Sequence, residues 1–161
     1  MLKKLLGFAS IIILLGSCVK GTDNSCKYQE SSAVAPASEI ASLQTYLNSS
    51  GHGAAIQHSS GLFYEIVTPG TGTTTAGVCN NVTVKYSGYL TNGTKFDENL
   101  TGVTFTLGGL ILGWQKGIPL IKAGGSINLY VPPSLGYGSN AVGSIPANSI
   151  LVFNIQLLAV Q

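Results

Sequence analysis

The stretch "LGGLILGWQKGIPL", residues 107–120, holds the only tryptophan of the 161-residue chain. Trp114, Ile118 and Ile121 are spaced as on one face of a short helix, and no other segment after residue 60 has this spacing. Pro119 removes a backbone hydrogen bond and limits the helix to about two turns. The sequence therefore predicts a single short helix in this part of the chain.

Strands are predicted on both sides of this helix because apolar residues alternate there. The strand-like segments cover residues 61–67, 82–90, 103–107, 126–131 and 150–158. Asn92 and Gly93 favour a hairpin after the second segment. One short helix among about five antiparallel strands must pack on the concave face of their sheet, which predicts an α+β half-barrel. Gly113 and Gly117 would let the helix approach the sheet closely, with Trp114 as the floor of the cup.

A short additional helix is predicted before the first strand. Ser38 suits its N-cap, Ile40, Leu43 and Leu47 follow at helical spacing, and Gly51 suits its end. We expect this helix to pack on the domain or its neighbour rather than to take part in chemistry.

The N-terminus has the pattern of a targeting segment. Lys3 and Lys4 precede the apolar run "LLGFASIIILLG", which is short for a membrane span and typical of a signal peptide, the alternative being a buried N-terminal helix. The run ends in "LLGSC", which resembles the lipobox of bacterial lipoproteins. This pattern predicts removal of residues 1–17 and lipidation of Cys18, which would anchor the protein in the bacterial cell envelope. Val19 at the next position favours the outer membrane, on its periplasmic face or at the surface.

Charge and composition define the rest of the predicted organisation. Residues 18–161 carry six lysines and six acidic residues, so their formal net charge is zero. A neutral chain without a basic patch has no electrostatic attraction to nucleic acid, which excludes that class of partner. Small polar residues predict a tether over 18–37, followed by a short helix and loop over 38–60 and a single domain over 61–161.

Two cysteines, Cys26 and Cys79, remain after the lipidation site. Export places a protein in an oxidising compartment, where an even number of cysteines favours a disulfide. Two separate small buried residues are the alternative.

The residue patterns of common catalytic and metal sites are absent from the sequence. His52 and His58 lie six residues apart with no acid or cysteine placed to complete a metal site, so we interpret them as solvated loop residues. Asp97 and Glu98 are adjacent, so on a strand or turn they would point in different directions and would not form an acid–base pair. No metal and no cofactor is therefore expected.

Four blocks, in order, resemble FKBP-type peptidyl-prolyl cis-trans isomerases. They are "VTVKYSGYLTNGTKFDEN", "FTLGGLILGWQKGIPLIKAGG", "LYVPPSLGYG" and "IPANSILVFNIQLL". The similarity covers residues 62–160. It implies a five-stranded antiparallel half-barrel wrapped around one short helix, with a substrate proline bound between them.

The resemblance also assigns roles to an aromatic and aliphatic set. It implies catalytic roles for Asp97, Tyr86, Trp114 and Tyr137. It implies substrate contacts from Phe96, Val103, Leu110, Ile111, Ile145 and Phe153. Trp114 would be the floor beneath the proline ring, and the backbone amide of Ile111 would donate to a substrate carbonyl. The chain departs from the family at Val103, where an aromatic residue is common, and we assign Phe105 to the hydrophobic core.

The expected activity is isomerisation of X-Pro bonds in exported proteins, without a cofactor, by a lipid-anchored monomer. The expected partners are proline-containing peptide segments and, through the anchor, the membrane. A non-catalytic proline-peptide binding or chaperone module is the alternative of a different class, and a structural or adhesive β-domain is a third. For the aromatic set itself, the alternative is an ordinary hydrophobic core.

Overall fold

A computed structural model of the chain describes residues 26–161. The predicted signal peptide, Cys18 and residues 18–25 of the predicted tether lie outside the described residues. The helices are α1 (Ala37–Ser49) and α2 (Leu112–Gly117). The strands are β1 (Ile56–Gln57), β2 (Phe63–Thr68), β3 (Asn81–Leu90), β4 (Lys95–Thr106), β5 (Ser126–Val131) and β6 (Leu151–Val160). No helix within residues 26–161 is long and apolar enough to cross a membrane.

The strands form one antiparallel sheet in the order β1-β2-β5-β6-β3-β4. The predicted α+β class, with an antiparallel sheet around a short helix, is confirmed. The sixth strand, β1, is a two-residue addition at the edge beside β2. The sequence did not indicate it because two residues are too few to show a period.

Alternation along β6 gives the sheet one apolar face. Leu151, Phe153, Ile155 and Leu157 are buried, whereas the residues between them are more exposed. On a strand, alternate side chains point to opposite faces, so these four point into the concave side of the sheet. The core therefore lies between the sheet and α2.

Strand β4 is longer than the predicted segment at residues 103–107, because it begins at Lys95 and ends at Thr106. Its register with β3 shifts, since Val84 pairs with Val103 whereas Tyr86 pairs with Asn99. The extra residues form a bulge that hides the period of the strand and increases its local twist. The sequence therefore revealed only the regular half of β4.

The turn between β3 and β4 differs from a two-residue hairpin. The Leu90 amide donates to the Thr94 carbonyl at 2.9 Å, so three residues form the loop. Gly93 has a φ of +83°, whereas Asn92 stays at negative φ. This is the pattern of a type I turn followed by a left-handed glycine.

Helix α2 lies directly on the sheet because two of its residues have no side chain. A Cβ added to Gly113 would come within 2.6 Å of Val131, and one added to Gly117 within 2.5 Å of Leu129. Contacts this short do not occur between real atoms, so any side chain would push the helix away. The helix continues as a 3-10 turn, Ile118–Leu120, which contains Pro119.

Helix α1 covers part of the opposite face of the sheet. Its buried residues Leu43 and Leu47 pack in one cluster with Phe63 and Tyr130. The helix begins after Pro36, so the predicted N-cap at Ser38 is wrong. Proline fixes the extended entry to the helix one residue before Ala37, which places Ser38 inside the first turn.

The segment before α1 lies against the domain rather than extending from it. Cys26 and Cys79 form a disulfide, with their Cα atoms 5.6 Å apart. Ala35 is buried in the main core, and its amide donates to the Ser60 carbonyl at 2.9 Å. Residues 26–36, which the sequence placed in the tether, therefore contact the folded domain.

Candidate functional site

A cavity of about 250 Å³ opens between α2 and the concave face of β3, β4 and β6. The lining residues are Tyr86, Phe96, Asp97, Phe105, Leu110, Ile111, Trp114, Tyr137 and Phe153. Sites for drug-sized ligands usually measure about 300–1,000 Å³, so this one suits a single side chain or ring of a peptide.

Aromatic rings converge on Trp114 at the base of the cavity. Its ring centroid lies 5.1 Å from that of Tyr86 and 5.3 Å from that of Phe153, both nearly perpendicular to it. Phe105 is 6.4 Å from Trp114, and Phe96 stands edge-on to Phe153 at 5.6 Å. Edge-to-face packing suits the charge distribution of aromatic rings and fixes their orientation. The cavity therefore has rigid apolar walls.

The floor carries one unpaired polar group. Trp114 is only 4 % exposed, and its indole Nε1 has no hydrogen-bond partner within residues 26–161. Most buried polar groups in native proteins are paired, so an exception at this place favours a functional position over plain core packing.

One wall depends on a glycine that sequence reasoning missed. A Cβ added to Gly88 would lie 2.6 Å from the Phe96 ring and 3.0 Å from the Phe153 ring. The two rings occupy the space above this residue of β3. Only the period-two pattern around "YSGYL" could have signalled it, because Gly88 interrupts an otherwise apolar face.

Asp97 is the one carboxylate that lines the cavity. The Tyr86 hydroxyl donates to its Oδ2 at 2.6 Å. Burial, followed by this bond and the charge of Asp97, raises the pKa of Tyr86 far above its ordinary value. Tyr86 therefore stays neutral and keeps donating across the physiological range. Its neighbour Glu98 points elsewhere and pairs with Lys95 at 2.6 Å, as the adjacency of the two acids predicted.

The loop before α2 brings Leu110 and Ile111 to the mouth of the cavity. The Gln115 side-chain amide donates to the Gly108 carbonyl at 3.1 Å and to the Leu110 carbonyl at 2.7 Å. The Ile111 amide makes no hydrogen bond to another group of residues 26–161. A free backbone donor thus lies beside the apolar floor, and Gln115 fixes the loop that presents it.

Eight of the ten residues to which the sequence gave catalytic or substrate-binding roles line this cavity, whereas Val103 and Ile145 do not. Val103 packs against the main core on β4 opposite Val84. Ile145 is 6 % exposed and is part of the core as well. Phe105, assigned to the core from the sequence, lines the cavity instead, two residues beyond Val103 on the same face of the strand.

Both histidines lie in loops and are partly exposed, and each has a side-chain partner. His52 Nδ1 lies 3.3 Å from Glu65, and its ring is 5.2 Å from that of Tyr130. His58 bonds Ser60 at 2.9 Å. Burial and the nearby Lys116 lower the pKa of His58. Neither histidine lines the cavity, and residues 26–161 contain no group of three or more potential metal ligands.

Wider depressions elsewhere on the surface lack these features. One of about 440 Å³ lies over the outer face of the sheet, and one of about 310 Å³ lies between α1 and the loop after β5. Neither contains more than one aromatic residue, so size alone does not mark the site. The convergence of six aromatic residues, one carboxylate and one free backbone amide marks the smaller cavity.

The family model of the FKBP-type peptidyl-prolyl cis-trans isomerases matches residues 72–158, which is more than half of the chain. The chain belongs to this family. The matched residues include all nine that line the cavity.

Two similar proteins are named as FKBP-type peptidyl-prolyl cis-trans isomerases. FkpA of Buchnera aphidicola subsp. Schizaphis graminum, an FKBP-type peptidyl-prolyl cis-trans isomerase, is 48% identical over 106 residues, which cover 64% of this chain and 42% of the relative. FkpA of Escherichia coli strain K12 is 42% identical over 106 residues, with 64% and 39% covered. The chain thus matches about two fifths of the length of these relatives.

Solved structures agree with the fold. The crystal structure of FkpA from Escherichia coli superposes with a TM-score of 0.69 at 37% identity, covering 78% of this chain and 60% of that one. The crystal structure of a peptidyl-prolyl cis-trans isomerase from Pseudomonas syringae pv. tomato gives a TM-score of 0.68 at 28% identity. It covers 79% of this FKBP-type chain and 97% of the other.

Proposed function

We propose that this protein isomerises X-Pro peptide bonds and that the proline ring of the substrate occupies the aromatic cavity. The convergence of Tyr86, Phe105 and Phe153 on Trp114 carries this proposal, because it creates a largely apolar cup with room for one ring. Membership of the FKBP-type family supports it.

An apolar cup can catalyse X-Pro isomerisation without any reactive group. Rotation about a peptide bond faces a barrier of about 18–20 kcal/mol, because resonance keeps the amide planar. The two X-Pro isomers differ by only about 0.5–1 kcal/mol, so the obstacle is kinetic. The twisted transition state has lost resonance and is less polar than the planar amide. An apolar site therefore stabilises it relative to water and needs no nucleophile or proton transfer.

Modest stabilisation gives a large effect. Each tenfold increase in rate needs a barrier lower by about 1.36 kcal/mol. Stabilising the transition state by about 5–7 kcal/mol therefore accelerates isomerisation by roughly 10⁴–10⁵-fold. In this account Trp114 supports the ring, the Ile111 amide holds a substrate carbonyl, and Asp97 holds Tyr86 through its hydroxyl. A single chain contains the whole cavity, so we propose that the monomer is sufficient for activity.

We further propose that the protein acts in the bacterial envelope on proline-containing segments of exported proteins. The lysine-headed apolar run and "LLGSC" support a lipid anchor at Cys18. Several acyl chains hold a protein at a membrane where one does not. Cys18→Ser should release the protein from the membrane fraction, and unchanged membrane association would refute the anchor.

A protease-coupled assay on Xaa-Pro peptides tests the activity. Phe153→Leu removes one wall and should lower kcat/KM by about tenfold, the equivalent of about 1.4 kcal/mol of barrier. The matched control is Leu158→Ala, because Leu158 lies on the same strand but is 36 % exposed on the opposite side. Peptide binding followed by Trp114 fluorescence without any turnover would instead indicate a non-catalytic proline-peptide module.

A further inference from the structure

Residues 26–32 lie against the loop that leads into the cavity, and we name them the N-terminal strap. Their contact is the ring of Tyr28, which covers two glycines of the loop. A Cβ added to Gly108 would overlap that ring, and one added to Gly109 would lie 3.2 Å from the Tyr28 hydroxyl. The tyrosine therefore rests on bare backbone at residues 108 and 109.

The strap is fixed at both ends. At one end, the Cys26–Cys79 disulfide ties it covalently to the segment before β3. At the other, the Lys116 ammonium on α2 donates to the Ser31 carbonyl. Tyr28 lies between these two attachments, so its ring is held on the loop from both sides.

The disulfide joins the strap to the segment that also anchors the start of the loop before α2. Cys79 is flanked by Val78 and Asn80, whose carbonyls accept from the amides of Gly108 at 2.7 Å and Leu107 at 2.9 Å. From α2, the Gln115 side-chain amide donates to the Gly108 and Leu110 carbonyls. The start of the loop is thus clamped between α2, the segment before β3 and the strap.

We propose that Tyr28 is a positioning residue for peptide binding: by covering Gly108 and Gly109 it holds the loop in the conformation that presents Leu110 and the Ile111 amide to the substrate. This inference rests on the proposed function. The ring is 42 % exposed, so it contributes little to the core. Two adjacent glycines sample many conformations when uncovered, and ordering them during binding costs affinity.

The first test compares Tyr28→Ala with Tyr28→Phe in the full-length, oxidised chain. Tyr28→Ala should raise KM for a Xaa-Pro peptide by about three- to tenfold and leave kcat nearly unchanged, because the uncovered glycines must then be ordered when the peptide binds. Tyr28→Phe keeps the ring on the glycines and should restore the wild-type KM. Val34→Ala, at a residue 62 % exposed on the same N-terminal segment, is the control and should leave both constants unchanged.

The second test removes the attachment instead of the ring. The double variant Cys26→Ser/Cys79→Ser should raise KM in the same direction, because the strap is then held only through Lys116. Adding Tyr28→Ala to it should raise KM by less than the two changes would separately, since both act on one contact.

The outcomes separate this inference from the proposed function. If the wild type has no isomerase activity, the proposed function fails, and peptide Kd from Trp114 fluorescence then takes the place of KM. An unchanged KM or Kd in Tyr28→Ala overturns the positioning role, even if the melting temperature falls. A loss in Tyr28→Phe as large as that in Tyr28→Ala also overturns it, because the ring would then not be the part that matters.

Discussion

Two tyrosine–carboxylate pairs lie on opposite faces of the same sheet. In the cavity, the Tyr86 hydroxyl donates to Asp97 at 2.6 Å. On the outer face, beside α1, the Tyr130 hydroxyl donates to Glu65 at the same distance. In both pairs, burial and the carboxylate partner raise the pKa of the tyrosine, so the local chemistry is alike.

The surroundings of the two carboxylates differ. Glu65 also accepts from Asn128 at 3.2 Å and lies 3.3 Å from His52, so its oxygens are occupied. Burial alone would raise the pKa of Glu65, but these hydrogen bonds outweigh it, and the pKa lies below its ordinary value. Within residues 26–161, the Asp97 side chain accepts only from Tyr86 and is exposed at the cavity. We call Tyr130–Glu65 the closed pair and Tyr86–Asp97 the open pair. The closed pair stabilises the fold, whereas in the open pair the Asp97 carboxylate can still accept a hydrogen bond from a substrate.

The largest expected effect comes from removing Trp114, the floor of the cavity that contains the open pair. Trp114→Ala should cost about 3–5 kcal/mol of unfolding free energy, as other large aromatic truncations in cores do. It should also lower kcat/KM by more than the stability loss explains at a temperature where the variant stays folded. Trp114→Phe keeps an apolar floor and should retain part of the activity. Urea unfolding together with peptide isomerisation checks both, and full activity in Trp114→Ala would contradict this role.

A smaller effect is expected from filling the space that Gly88 leaves for the Phe96 and Phe153 rings. Gly88→Ala should push the Phe96 and Phe153 rings into the cavity and cost about 1–3 kcal/mol, the typical range for overpacking. Its kcat/KM should fall because the cavity narrows. The control is Gly53→Ala, since Gly53 lies far from the cavity and is exposed. Equal activities of the two variants would show that the wall tolerates movement.

Acid should weaken the closed pair. A carboxylate with a folded pKa below its ordinary value of 4.5 stabilises the fold fully above that pH and loses this contribution as pH falls through the folded value. Glu65→Gln should therefore be less stable than the wild type at pH 7, by about 1 kcal/mol for a lost hydrogen bond. The gap should shrink below pH 4.5. A constant gap in urea unfolding from pH 7 to about pH 3 would show that the charge of Glu65 contributes nothing.

The smallest effect concerns the histidines. No proton transfer is proposed, so kcat/KM should stay flat between about pH 6 and 8, where a catalytic histidine would titrate. His52→Ala and His58→Ala should leave the peptide assay unchanged, although His52→Ala removes one partner of Glu65. A steep fall in that pH window, or a dependence on either histidine, would contradict catalysis by an apolar cavity alone.

The sequence predicted the features that depend on local spacing. The helix around Trp114, the two glycines that let it approach the sheet and the alternation of β5 and β6 follow from periods of 3.6 and 2. Family membership and the aromatic set were predicted from ordered blocks of residues, and the family is confirmed.

The features that the sequence did not predict depend on contacts between distant segments. Phe105 rather than Val103 lines the cavity because its ring reaches Trp114 on α2, a contact between segments that lie apart in the sequence until the sheet and α2 pack. Gly88 matters because of rings on β4 and β6, and Tyr28 because a disulfide spans 53 residues. The network of Glu65 joins residues from three separate elements. No local period encodes such contacts, since they arise only when the sheet has formed.

The most direct test of the difference between the two pairs removes the same atom from each. Tyr86→Phe should lower kcat/KM by about tenfold, equivalent to about 1.36 kcal/mol of barrier. Its unfolding free energy should change little, because Asp97 is exposed to water. Tyr130→Phe should lose about 1 kcal/mol of unfolding free energy or more, because Tyr130 is 1 % exposed, and keep its kcat/KM. If Tyr130→Phe reduces kcat/KM as much as Tyr86→Phe, or if Tyr86→Phe leaves it unchanged, the open pair is not part of the site.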